Sequence, residues 1–272
     1  MDSIKHAVEL ARSAERGLGL GPASQPSIGI KGPPISPFDA QIRDVRLDPA
    51  HLEKSRLVAH GRAGEHGRYY DMLRTQILQE MDKKSWQFLA ITSPTAACGK
   101  SVTACNLAMS IARLPERSVM LVDLDLRKPM VANYLGLESN GGVISVLEGR
   151  ATLASAVVQA NIGLTNFMVL PGTVSIQGSS EWMASQTMGT LMQAIKREFR
   201  SRIVIFDLPP LLVGDDVISI LPRMDAALLV AAVGTTSIAD IKECQRYLQR
   251  TPVIRVVVNK ATETAGSYYG DY

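Results

Sequence analysis

The chain has 272 residues, 46% of them hydrophobic and 20% charged, enough for one sizeable α/β core with material left for an extension. Its 29 basic and 26 acidic residues leave a formal charge of +3 and form no long basic run, so composition gives nucleic-acid binding no support. Cys98, Cys105 and Cys244 lack C-x-x-C spacing, residues 1–6 are too polar for a signal peptide, and no apolar stretch reaches the roughly 18 residues that span a bilayer. A reducing cytoplasmic setting is the expectation.

In chain order, Ile4, Ala7, Val8, Ala11 and Ala14 recur at spacings of three and four and predict a short amphipathic helix over residues 3–16. Residues 17–37 are rich in Gly, Pro and Ser and read as a linker. From residue 68 the pattern turns helical, with Tyr69, Met72, Leu73, Gln76, Ile77 and Met81 available to one broad face. The expected division is an N-terminal helix and linker over 1–67, a catalytic domain over 68–266 and a terminal segment over 267–272. Strands are predicted over 88–92, 119–123, 165–170, 203–207, 227–233 and 253–259, and helices over 100–113, 181–199, 214–222 and 237–249. Several strands are continuous apolar runs, the pattern of a sheet covered on both faces. The expected fold class is α/β, three layers with a largely parallel sheet. Ligands of such sheets bind beyond the carboxyl ends of the strands, where Gly99, Asp123 and Asp207 all fall.

Gly99-Lys100-Ser101 opens a helix after an apolar run, the arrangement of a P-loop: backbone N–H groups form an anion nest, the lysine neutralises phosphate oxygens and the serine hydroxyl ligates Mg²⁺. Pro94 stands where the first glycine of G-x-x-x-x-G-K-[ST] belongs, and Ala96 and Ala97 make the loop poorer in glycine. The expected nucleotide-binding set is Ala97, Cys98, Gly99, Lys100, Ser101 and Val102, with Asn259 at the end of the last strand. Cys98 is also readable as a redox-sensitive thiol at a helix N-terminus, against a plain small-residue role. Asp123 and Asp125 flank Leu124 at a strand end, with Arg127 close by; they read as catalytic carboxylates or, more blandly, as a cap and turn pair. Asp207, followed by Leu208-Pro209-Pro210, is placed to bind Mg²⁺. Tyr268, Tyr269 and Tyr272 crowd the C-terminus and are apt phosphoacceptors, against a tail that docks by aromatic contact or has no role. His6, His51, His60 and His66 lack metal-ligand spacing and are expected in solvent.

Together these motifs resemble the bacterial tyrosine kinases of capsule and exopolysaccharide loci, the BY-kinases, over residues 68–272. The resemblance is carried by Asp123-Leu124-Asp125-Leu126-Arg127, the loop from Ser93 to Ser101, Glu181-Trp182-Met183-Ala184-Ser185 against the family's E-L-L-x-S segment, Asp207 with Pro209-Pro210, and the terminal tyrosines. It implies a P-loop NTPase fold, ATP and Mg²⁺ as cofactors, and an autokinase acting on Tyr268, Tyr269 and Tyr272 to regulate polysaccharide export. By the same resemblance Lys100 contacts phosphates, Ser101, Asp123 and Asp207 hold the metal, Asp123 or Asp125 assists deprotonation of the tyrosine, and Arg127 completes the catalytic set. The implied partners are an integral-membrane co-polymerase as activator, further copies of the chain and a cognate phosphatase, with the protein held at the inner face of the membrane through a partner. Two positions depart from the pattern. Leu208 replaces a Ser or Thr, and the assembly motif E-x-x-R-x-x-R reads Arg68-Tyr69-Tyr70-Asp71-Met72-Leu73-Arg74, identical only at Arg74. A non-catalytic nucleotide-binding scaffold and a partition-type ATPase are the other readings; the latter carries a signature lysine where this chain has Pro94.

Overall fold

Apolar runs of five residues are stable in a sheet only when helices shield both faces, and the computed structural model builds that arrangement. The described residues are 42–261 apart from 62–64, 139, 140, 201 and 250. The expected helix over 3–16, the linker over 17–37 and the segment 267–272 lie outside them.

The strands are β1 (Arg43–Arg46), β2 (Phe88–Thr92), β3 (Val119–Asp123), β4 (Val158–Ile162), β5 (Thr165–Leu170), β6 (Ile203–Asp207), β7 (Ala226–Ala232) and β8 (Val253–Asn259). The helices are α1 (Pro49–Lys54), α2 (Glu65–Lys84), α3 (Lys100–Ala112), α4 (Val131–Leu135), α5 (Val143–Leu147), α6 (Leu153–Ala156), α7 (Ser179–Ala184), α8 (Gln186–Glu198), α9 (Asp216–Ile220) and α10 (Ile238–Tyr247). Among the described residues the sheet runs β1-β4-β5-β3-β6-β2-β7-β8, and only the β4–β5 pairing is antiparallel. Alternate residues of the central strands serve two cores. Leu89, Ile91, Leu121 and Ile205 pack with Ile77 of α2 and Leu107 of α3 on one side. Phe88, Ala90, Val122 and Phe206 pack with Ile195 of α8 and Cys244 of α10 on the other. The α/β, three-layer, largely parallel expectation holds.

Differences from the sequence reading have physical causes. First, the folded unit begins well before residue 68. β1 pairs with β4, and Leu47, Leu52 and Leu57 are buried in the first core. Asn106 of α3 fixes this segment, its Oδ1 accepting from Val58 N and Ala59 N and its Nδ2 donating to Arg56 O. Second, the helix predicted over 181–199 is two helices. Ser185 takes an extended conformation and its hydroxyl caps α8 by accepting from Met188 N. Third, β4 was not expected; it joins β5 through Gly163 and Leu164, with Gly163 at φ 57°. His51 and His60 are also partly buried, hydrogen-bonded with Asn133 O and Leu57 O, rather than freely solvated.

A composite site at the strand ends

Strand order decides what meets. β6 lies between β2 and β3, so the loop after β2, Asp123 of β3 and Asp207 of β6 emerge side by side, with Asp123 and Asp207 opposite one another in the β3–β6 ladder. Residues 93–99 turn from β2 into α3. Thr92 Oγ1 donates to Pro209 O, and Leu211 N and Leu212 N donate to Ser93 O and Pro94 O, tying this turn to the loop after β6. Gly99 caps α3 at φ 93°; a Cβ there would lie 2.1 Å from Asn259 Nδ2, so only glycine fits. Ala97 holds φ 62°, a left-handed conformation where a glycine would be unstrained.

Lys100 is buried and reaches across the loop. Its Nζ lies 2.7 Å from Asp125 Oδ2, 3.3 Å from Ser101 Oγ and 3.6 Å from Asp207 Oδ1. Burial pulls its pKa down, but Asp207 and Asp125 outweigh that and push it up to about 12, so it stays cationic. Asp207 is fully buried, and neither carboxylate oxygen has a hydrogen-bond partner among the described residues. Burial raises its pKa, and that of Asp123 is pushed up to about 8 by burial and by the facing Asp207.

The remaining expected residues divide by what they touch. Asp125 Oδ1 accepts from Lys128 N while Oδ2 holds Lys100. Asp123 Oδ1 accepts from Asp125 N and Oδ2 from Met130 N and Val131 N; Gly172 packs close against this carboxylate. The bland turn-and-cap role is therefore a large part of what Asp123 does. Arg127 is held by Asp216. Cys98 is buried, with Sγ 3.5 Å from Thr236 Oγ1, and its carbonyl accepts from Asn259 Nδ2. Val102 turns its side chain into the first core. Leu208 is fully buried in the second core, so its position serves packing. In the assembly motif, Arg74 and Arg113 converge on Asp71 at 3.0 and 3.1 Å, and Ser110 Oγ donates to the same carboxylate. Sequence reasoning missed Asp216 and Gly214; nothing local marks them, because their role depends on where α9 begins relative to Arg127. Tyr268, Tyr269 and Tyr272 lie outside the described residues.

The donor set fits a nucleotide with Mg²⁺. An orphaned buried carboxylate faces a serine hydroxyl and a lysine at the first turn of a helix, where unpaired N–H groups favour phosphate. No three His, Cys, Asp or Glu side chains gather as a metal cage among the described residues.

The likenesses to known proteins agree with this chemistry. CpsD, a tyrosine-protein kinase of Streptococcus pneumoniae serotype 4, is 29% identical over 203 residues, covering 74% of this chain and 86% of CpsD. EpsB of Ralstonia nicotianae is 28% identical over 207 residues, and there the chain spans only 27% of the relative's length. The kinase domain of the Escherichia coli tyrosine kinase ETK superposes with a TM-score of 0.63 at 26% identity, covering 74% of this chain and 78% of that one. The chain is thus similar to bacterial tyrosine kinases throughout its nucleotide-binding core. Residues 89–268 match the CobQ/CobB/MinD/ParA nucleotide binding domain, and the chain belongs to that family.

Proposed function

We propose that this chain is an ATP-dependent protein-tyrosine autokinase that phosphorylates Tyr268, Tyr269 and Tyr272 between copies and thereby regulates polysaccharide polymerisation and export. The observation that carries the reading is Asp207: a fully buried carboxylate with two orphaned oxygens, 3.6 Å from the Lys100 ammonium. Asp207 and Ser101 are the residues to hold Mg²⁺, which when bound neutralises phosphate charge and draws electron density from the bridging oxygen. Lys100 takes phosphate oxygens. Asp125 is the residue to orient the incoming hydroxyl: its Oδ2 holds only Lys100 and is freed once that lysine takes phosphate, leaving Lys128 N on Oδ1, whereas both oxygens of Asp123 accept backbone N–H groups. In the transfer the tyrosine Oη bonds to the γ-phosphorus as the bond to the β,γ-bridging oxygen breaks; that oxygen leaves with the electron pair as ADP, and the phenolic proton passes to Asp125. Catalysis on this scheme is positioning and charge neutralisation.

In this reading a membrane co-polymerase activates the kinase and holds it at the inner face of the membrane, the chain works as a homo-oligomer, and a phosphatase resets it. Among the described residues no helix is long and apolar enough to cross a membrane. Phosphates on the terminal tyrosines, each adding about 1.5 to 2 negative charges, would loosen the assembly by repulsion.

The test mixes Lys100→Met protein, tail intact, with competent protein lacking residues 267–272, in Mg-ATP with a fragment of the membrane activator. Peptide mass spectrometry reads the tail. Phosphate on the Lys100→Met tail is the expected result; none, despite demonstrated ATP turnover and co-assembly, leaves a scaffold or an ATPase. Lys100→Met alone should weaken binding of a fluorescent ADP analogue by about 10- to 100-fold, the worth of a charge-assisted contact.

A further inference from the structure

Arg127 belongs to the loop after β3, residues 124–130, and Asp216 opens α9 beyond the loop after β6, residues 208–215. Arg127 Nε lies 2.9 Å and Nη2 2.6 Å from the same oxygen, Asp216 Oδ2. Asp216 is only 1% exposed, whereas 43% of the Arg127 side chain remains open to solvent. Among the described residues this is the one ion pair between residues 124–130 and residues 208–216. Gly214 makes room for it: a Cβ there would stand 2.6 Å from Arg127 Nη2 and 2.9 Å from Asp216 Oδ2.

Each of the joined loops is also fastened to the nucleotide site. The first carries Asp125, which holds Lys100, and is pinned by Ser175 Oγ donating to Arg127 O and Ile176 N donating to Leu126 O. The second begins after Asp207 and is bonded to the turn after β2 through Leu211 N and Leu212 N. An arginine that reached for phosphate would have to abandon a buried carboxylate, leaving an uncompensated charge. We infer that Arg127 is a positioning residue acting through Asp216: the pair clasps the Asp125 loop to the Asp207 loop and sets the distance between the Lys100 anchor and the metal-side carboxylate. The inference rests on the nucleotide reading of the site and needs no tyrosine acceptor.

The tests use the full chain and three variants, Asp216→Asn, Gly214→Ala and Arg127→Lys. Gly214→Ala is the cleanest, since it keeps both charged groups and crowds only their contact, at the flexible end of Arg127 and at Asp216 Oδ2. Measured are kcat and KM for Mg-ATP turnover, affinity for a fluorescent ADP analogue, and amide hydrogen exchange of residues 124–130, with thermal melting as the fold check. Loosened positioning should lower kcat about 10- to 100-fold in Asp216→Asn and in Gly214→Ala while ADP affinity changes less than about threefold. A fourth variant carrying both Asp216→Asn and Gly214→Ala should be no worse than either single variant, because both changes break one contact. Exchange over 124–130 should rise in both, a readout that needs no turnover. Full kcat in Asp216→Asn together with a loss in Arg127→Lys would place Arg127 on the nucleotide and overturn the inference, as would unchanged exchange over 124–130. Failure of tyrosine phosphorylation alone, with these effects present, would overturn the kinase reading and leave the clasp standing.

Discussion

A fully buried carboxylate with no hydrogen-bond partner is retained against stability, and Asp207 is such a group. Replacing it with Asn removes the buried charge, which outweighs loss of the 3.6 Å ion pair with Lys100 because Lys100 keeps Asp125 at 2.7 Å. In Mg²⁺-free buffer Asp207→Asn should therefore be more stable, by about 1 to 3 kcal/mol on denaturant unfolding, and should lose Mg²⁺-dependent ATP turnover. A variant both less stable and fully active would remove Asp207 from the metal site. Asp216 shows the opposite balance. Burial would raise its carboxyl, but the Arg127 guanidinium and the Ser179 hydroxyl outweigh it and hold the pKa below the ordinary 3.8. A carboxyl depressed by folding adds stability above its unfolded pKa and loses that stability as pH falls through its folded value. The melting-temperature gap between wild type and Asp216→Asn should accordingly narrow between about pH 5 and pH 2.

At the scale of elements, α3 does two jobs. Its first turn presents Lys100 and Ser101, while Asn106, almost two turns on, carries the segment 56–59 on three hydrogen bonds and returns a fourth to Val102 O. Asn106→Ala leaves Val58 N and Ala59 N without their acceptor. A cost of about 2 to 4 kcal/mol is expected, visible in denaturant unfolding, along with faster amide exchange at 56–59. Unchanged exchange there would show that Leu52 and Leu57 hold the segment without Asn106. The break between α7 and α8 is another element-scale result. Residues 181–199 have a helical pattern throughout, and only the capping geometry of Ser185 divides them.

For the whole molecule, the start of the fold is the practical question. Among the described residues β1 forms one edge of the sheet, and Leu47, Leu52 and Leu57 pack in the first core. A chain beginning at residue 68 should therefore be insoluble or molten, exposing the β4 edge and the apolar surface those three leucines cover, whereas one beginning at residue 42 should melt cooperatively. Calorimetry of the two truncations decides it; equal cooperative transitions would make β1 and α1 dispensable. The opposite edge, β8, has Val256 and Val258 exposed and ends at Asn259, which is bonded to the Cys98 carbonyl of the phosphate loop.

Much of this was written locally. The central strands are largely apolar runs bounded by turn residues, so Phe88–Thr92, Val119–Asp123, Thr165–Leu170 and Ile203–Asp207 could be read at their observed limits, as could the edge strand Val253–Asn259. Gly99-Lys100-Ser101, Asp123, Asp125 and Asp207 each mark a strand end or helix start by composition alone, and they gather in one site. β4 was hidden because its Val158-Gln159-Ala160-Asn161-Ile162 alternation is short and half polar, and β1 because Arg43-Asp44-Val45-Arg46 is mostly exposed and gains its place only by pairing with β4. The sequence by itself determined which residues end strands and which helix faces are apolar, since both follow from local periodicity. Tertiary structure decided that β6 would separate β2 from β3, that Asp123 would spend its oxygens on backbone N–H groups, and that Arg127 would meet Asp216, 89 residues away. Such pairings depend on strand order and loop path, which no local pattern encodes.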